Sequence, residues 1–398
     1  MFTPLKQLVT LPFQLVSLAS NQLQKYKYQS NTSFVWKEIE IPTTTTETLK
    51  QMLQEHSSSI LKPTIFTKER LIIKKIQQRT KQFNQNNITR TKAYLNFYKD
   101  HPEVHWAFLA HLVSRNGGWN MTDLKGNLLS NLLSNQQQND YCMFLETANA
   151  LIFHDAYPQL LLYEESKRQN KSLFHLLHHF NISSFMYPVW ELFFNEKNSQ
   201  FLTIALIINE QHYIEKRVIQ NHYFQETVLH SFLFQAQELL QFTQVQLPYI
   251  YQNQKVRLAG VAVQNFSSIN ERIDIGKRLY SILFGIEPLI KDISKFALTT
   301  NHTGSRSDYW KHIFSIKNSP KIPISTKNIC NSKNPFIYSP PLVNVWDNVP
   351  HSFSDLSDWY KGPNVLNNFS TIRTPKEFDI THTYCLKLQK TLFASSIL

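Results

Sequence analysis

Two short stretches gather most of the side chains that could do chemistry. Arg115, Asn116, Gly117, Gly118, Trp119 and Asn120 spell RNGGWN, and His302, Thr303, Gly304, Ser305, Arg306 and Asp308 lie in HTGSRSDYW. The chain has only eight glycines in 398 residues, so the adjacent pair at 117 and 118 invites a physical reason. A helix starting at Pro102 and closing at Gly117, with Gly118 reversing the chain, would make this pair the joint of a helical hairpin. Amides converging in such a joint form an anion-binding nest, to which Arg115 adds charge and Trp119 a flat wall. The competing reading is a plain helix cap. In the second stretch, Thr303, Ser305, the Gly304 backbone and Arg306 could hold a phosphate or carboxylate, with Asp308 orienting Arg306 or His302. The alternative there is a capping turn, with Ser305 or Ser307 as N-cap and Trp310 packed inward.

Acid–base candidates come next. Glu210 and His212 follow an apolar run, TIALII, on one helix, which would bury the carboxyl and raise its pKa. A pocket gathering both polar turns with Glu210, His212, His302 and Asp308 as catalytic groups would make the chain an enzyme, hydrolase-like in its ingredients. His154, Asp155 and Tyr157 form a second such cluster, and Glu215 and Arg217 extend the first. His175, His178 and His179 have a spacing that can reach a metal from one helical face, but no H-E-x-x-H accompanies them, and neither metal nor cofactor is assigned. Three cysteines, Cys142, Cys330 and Cys385, are an odd number without C-x-x-C spacing. They suggest neither a disulfide framework nor a zinc site, and fit a reducing compartment. No serine occupies a G-x-S-x-G elbow.

The formal charge of +12 is unevenly placed. Nine cations and one acid, Glu69, fall between Lys68 and Lys99, while the stretch from Tyr309 to Trp346 holds five lysines and no acid. The rest of the chain is close to neutral. The run TKERLIIKKIQQRTKQF reads as an amphipathic helix with Ile72, Ile73, Ile76 and Phe83 inward and Lys68, Arg70, Lys74, Lys75, Arg79 and Lys81 on its outer face. Such a face either merely solvates the helix or binds an anionic partner, nucleic acid or an anionic membrane surface.

These residues need a scaffold, and the pattern supplies helices. Glycine is scarce, 42% of residues are apolar, and sustained two-residue alternation is missing. The expected fold is mostly α, a compact multi-helix body followed by a Pro/Lys/Asn-rich extended segment. Four parts are expected: an N-terminal helical segment (1–60), a main all-α domain (61–316), a basic connector (317–345) and a C-terminal aromatic segment (346–398) docking on the body. Within them, Thr44 and Glu47 suggest a capping box, Gln225 to Val245 a helix, Asp123 to Leu133 another, and Val256 to Val263 a short strand or helix entry. The longest apolar run, Phe201 to Ile208, is far too short to span a bilayer. Phe2 to Ala19 resembles a short signal-like segment interrupted by Pro12, or a helix lying on the core or at a membrane surface.

The stretches NITRTKAYLNFY, HPEVHWAFLAHLVSRNGGWNMTDLKG, FHDAYPQLLLYE, LIINEQHYIEKRVIQ, ERIDIGKRLYSILFGI and HTGSRSDYW together resemble the YppC-like family of uncharacterised Bacillus proteins, over roughly residues 87–314. The resemblance implies an unsecreted bacillar protein and brings no catalytic residues. The expectation from sequence is a cytoplasmic helical binding or scaffold protein using the basic face, with the enzyme and a peripheral membrane protein anchored by residues 2–19 as alternatives; the oligomeric state is open.

Overall fold

In the computed structural model, the described residues are 36–58, 66–231, 244–251, 255–263, 265–318, 329 and 332–397, apart from 333, 356, 371, 373–374 and 376. The segment from Phe2 to Ala19, much of the expected connector and Cys330 lie outside them. The fold is mostly α. Its helices are α1 (Thr43–Ser58), α2 (Thr67–Phe83), α3 (Asn87–Asp100), α4 (His105–Asp123), α5 (Asn135–Gln169), α6 (Met186–Glu196), α7 (Ser199–Ile214), α8 (Ile269–Gly285), α9 (Glu287–Thr299) and α10 (Thr381–Ile397). An antiparallel hairpin joins them, β1 (Gln244–Tyr251) with β2 (Lys255–Ala262), Gln244 facing Ala262 and Tyr251 facing Lys255. Two short strands, β3 (Phe314–Ser315) and β4 (Ile337–Tyr338), pair in parallel.

α7 is the axis. Every residue from Phe201 to Asn209 is buried, as expected of a helix apolar on all sides and enclosed by α4, α5, α6 and α8. Asn198 caps its start by accepting from the Phe201 amide at 3.0 Å. α5 is the longest element, 35 residues or about 52 Å, and starts from a reciprocal cap between Ser134 and Gln137. A second apolar cluster gathers Trp119, Tyr309, Trp310, Ile313, Tyr384 and Leu388, so α10 closes over the turn that follows α9.

Several local expectations are corrected. The chain does not reverse at Gly117 and Gly118: α4 runs straight through both, with neither at positive φ. The helical hairpin is real but sits earlier, at a turn where the Val104 amide bonds the His101 carbonyl at 3.0 Å and Pro102 takes the second position. Pro102 therefore precedes α4 and does not begin it. Thr44 lies inside α1, one residue past its start at Thr43, and not at the capping position before the helix. Gln244 and Val245 belong to a strand, not to a helix from Gln225; residues 232–243 lie outside the described ones. The β2 expectation at Val256 holds as a strand, whereas the helix expected from Asp123 to Leu133 is a series of turns after α4.

Candidate functional site

The two polar stretches meet. α4 passes so close to the turn after α9 that a Cβ on Gly118 would stand 2.4 Å from Asn87 Oδ1 and 2.7 Å from His302 Nε2. Glycine is at 118 for proximity, not for a left-handed backbone. Asn87, on α3, donates to the Ser114 carbonyl at 2.8 Å, and its Oδ1 is 2.9 Å from His302 Nε2, which fixes the proton on that ring nitrogen. Gly304 does need its glycine: φ is +82°, and a side chain would press on Leu342.

What fills the junction is its own side chains. Arg306, fully buried, donates from Nε to both Asp123 oxygens at 2.7 and 2.8 Å, from Nη1 to Gln246 and Tyr309 at 2.7 Å each, and from Nη2 to Asn120 at 3.0 Å. Arg115, equally buried, donates to the Asn301 carbonyl at 3.1 Å and lies over the rings of Phe296 and Trp119. Burial lowers its pKa to about 10. Asn116 completes the edge of β1, donating to the Gln244 carbonyl and accepting from the Gln246 amide. Ser305 caps the short turn Arg306–Asp308, the capping role read as the alternative from sequence.

Asp308 is the acceptor at the centre of the second stretch. It takes hydrogen bonds from the Thr303 amide (3.0 Å), the Thr303 hydroxyl (2.6 Å) and Trp119 Nε1 (3.3 Å), with His302 Nδ1 at 3.5 Å. Burial pushes its pKa up, and the Thr303 hydroxyl with Arg115 nearby holds it below the ordinary value. Burial, with Arg115 nearby, takes His302 down to about 4, so its ring is neutral at pH 7. The space between the stretches is thus occupied by its own side chains, with Arg306 paired to Asp123 and Arg115 bonded to the Asn301 carbonyl, and α4 stays helical through Gly117 and Gly118, where no anion-binding nest forms.

Glu210 and His212 part company. Two residues apart on α7, they point to different sides: Glu210 accepts from Trp106 Nε1 (3.2 Å) and Gln211 Nε2 (3.1 Å), while His212 stacks on Trp359 at 4.4 Å between centroids. Burial raises Glu210 to about 8. Asp155, on α5, is likewise raised to about 7 by burial and accepts from Gln159 and Asn209. Arg217 is spent on the carbonyls of Asp355 and Ser357, and His154 packs on Phe353.

The histidine run folds as a 3₁₀ turn, Phe174–Phe180: His175 meets Glu69 at 3.0 Å, while His178 bonds its own turn's His175 carbonyl and its ring lies 3.8 Å from that of His179 between centroids. Among the described residues no group of three metal-ligating side chains converges. Cys142 is free and buried, its thiol pushed up to about 12 by burial. Cys385 is disulfide-bonded, against the expectation of a chain without disulfides.

The basic face is left open to solvent. Lys68, Arg70, Lys74, Lys75 and Lys81 are exposed on α2, while Ile76 and Thr80 face the core. At 100° per residue, Arg70, Lys74 and Lys81 fall in one row and Lys68 and Lys75 in another. Leu71, 64% exposed, lies between the rows, and Phe66, 68% exposed, at the helix start. Arg79 is turned aside into an ion pair with Glu164 at 2.7 Å. Arg90, one of the nine cations counted in this region, is buried with Glu146, which also binds His351 at 3.1 Å. At its C-terminal end α2 borders a groove of about 1060 Å³ whose walls include Gln78, Lys81, Gln82, Asn84, Gln85 and Asn348. Sequence reading missed this groove; its trace is the amide-rich run QFNQNN after the last cation of α2.

Among the described residues no helix is long and apolar enough to cross a membrane. No solved structure matches the chain. It is 39% identical over 319 residues to the uncharacterized protein YppC of Bacillus subtilis strain 168, a span covering 80% of this chain and 92% of that one. Residues 82–385, from the end of α2 into α10, match the family described as "Protein of unknown function (DUF2515)". Both polar stretches, Glu210 and the groove walls from Gln82 onward lie within that span, whereas Gln78, Lys81 and the cationic row of α2 precede it; the chain belongs to the DUF2515 family.

Proposed function

We propose that the protein is a helical nucleic-acid-binding protein, which holds phosphates along α2 and nucleotide edges in the adjoining groove. The observation that carries this reading is the junction of the two surfaces. Exposed cations, Arg70, Lys74 and Lys81, run in a row toward a groove rich in side-chain amides. Lys and Arg supply affinity by neutralising phosphate and releasing counterions. Asn and Gln present paired donors and acceptors suited to base edges. Arg70 and Lys74 are one helical turn apart, about 6 Å, a step comparable with the phosphate repeat of a single strand.

The amide walls support nucleic acid over a lipid surface, because a bilayer offers amides nothing to read; exposed Leu71 and Phe66 beside the cations are what a bilayer would bury, so vesicles are the counter-test. The test is fluorescence anisotropy with a labelled 20-nucleotide single strand, run beside flotation with phosphatidylserine vesicles. The reading expects salt-sensitive binding to the strand and none to the vesicles; the reverse pattern, or no binding to either at low salt, contradicts it. The alternative of an enzyme using both polar stretches draws less support, because their shared space is filled by Arg306 and its partners.

A further inference from the structure

Between α4, α5, α7, β1 and α8 lies a cavity of about 140 Å³, separate from the groove beside α2. Its walls are largely apolar, among them Leu109, Ile152, Val263, Ile275 and Leu279, and Val113, 37% exposed, stands at its rim. Among the polar side chains that break that lining, which include Ser114, Asn149, Gln211 and Arg272, two from different helices stand out. One is the Glu210 carboxyl, steadied by Trp106 and Gln211. The other is Tyr94, 3% exposed, whose hydroxyl has no hydrogen-bond partner among the described residues. Its ring packs edge-on against Trp106 at 5.5 Å between centroids, which places it beside the group that donates to Glu210.

An orphaned buried hydroxyl is a liability of about 1–3 kcal/mol in a core that serves only packing. Such groups are retained where something else satisfies them. We propose that this cavity binds a compact, largely apolar molecule bearing a single hydroxyl or carbonyl oxygen, held between the Tyr94 hydroxyl and the Glu210 carboxyl. The size follows from the volume: an apolar cavity of about 150 Å³ takes a ring the size of benzene. The polar head follows from the lining. Tyr94 has a proton to donate, and Glu210, raised to about 8 by burial, also keeps its proton at neutral pH, so two donors face a ligand oxygen. Arg272 does not compete for that oxygen, since its guanidinium is engaged by Gln211, Glu215 and the carbonyls of Phe266 and Ser267.

Phenol and toluene, rings of similar size that differ in a hydroxyl for a methyl, are the probes. Ligand-observed NMR titrations give an affinity for each with the full chain and with Tyr94→Phe, which removes only the unpartnered hydroxyl and so leaves folding intact. The expected result is saturable binding of both, with phenol preferred by about five- to tenfold, the worth of one net hydrogen bond. In Tyr94→Phe the preference should fall to what the Glu210 carboxyl alone supplies, while toluene binds as before. Absence of saturable binding in the native chain, or a phenol preference that the substitution leaves undiminished, overturns the proposal. Loss of toluene binding in Tyr94→Phe overturns it as well, since the hydroxyl would then be shaping the cavity and not reading a ligand.

Discussion

Arg306 Nε stands 2.7 Å from one oxygen of Asp123 and 2.8 Å from the other, both side chains out of solvent, joining the turn after α9 to the last residue of α4. Arg306 belongs to the second polar stretch and Asp123 stands three residues past the first, 183 positions away. Their pairing locks α4 against that turn, while Gln246 and Tyr309 tie in β1 and the aromatic cluster under α10.

Asp123→Asn leaves a guanidinium charge uncompensated in the interior, a change that typically destabilises by about 3–5 kcal/mol. Urea denaturation should show a loss of that order. A loss below about 1 kcal/mol would mean the pair sits in a far wetter setting than its burial indicates.

Gly117 and Gly118, adjacent on one helix, should respond differently to alanine. At 117 the added Cβ meets the Asn149 amide nitrogen at 3.0 Å, the movable end of a side chain, and the helix propensity gain of about 1 kcal/mol offsets the contact. At 118 it collides with Asn87 and His302, both held in hydrogen bonds. Gly118→Ala should therefore lower stability by about 1–3 kcal/mol, and Gly117→Ala by much less. Equal losses in thermal or chemical unfolding would speak against the close passage of α4 over the turn.

The pH profile of stability has two limbs with separate causes. Burial takes His302 from 6.5 to about 4 and His111 to about 3, so the unfolded chain binds their protons first, and stability is lost as pH falls below about 6.5. Glu210 and Asp155 have the opposite sign. Burial raises them from 4.5 and 3.8 to about 8 and 7, so the folded state holds protons that the unfolded chain releases, and stability falls as pH rises through that window. Glu210→Gln should flatten the decline between pH 5 and 8 and leave the acid limb in place. Melting temperatures at pH 4, 5, 6.5 and 8 test this; an unchanged alkaline slope removes Glu210 as its source.

Sequence periodicity was a good guide where burial is set by one face or by all faces of a helix. α2 and α7 show both cases, the first with Ile76 inward and its lysines outward, the second apolar throughout. It misled at Gly117 and Gly118, because composition marks where glycine stands but not whether a turn or a neighbour demands it. The demand came from Asn87 and His302, the latter 184 positions away, and no local pattern carries that information. β1 was missed for a related reason: Leu247 and Tyr249 are buried and so is Gln246, whose side chain serves Arg306, so the alternation that announces a strand is blurred. The candidate anion-binding arginines illustrate the same limit, since Arg115 and Arg306 read as ligand-binding groups until their internal partners are seen. Tyr94 was legible only as part of a core, and its missing partner is visible only in three dimensions.

The cationic row on α2 is the centre of the functional account, and the dependence of single-strand affinity on salt tests it most directly. Log affinity should fall with log salt at a slope of about −0.7 for each phosphate neutralised. The double variant Lys74→Gln, Lys81→Gln should shallow that slope by about 1.4 with its melting temperature unchanged. A slope identical in the variant and the native chain would place the phosphates elsewhere and contradict the assignment of α2.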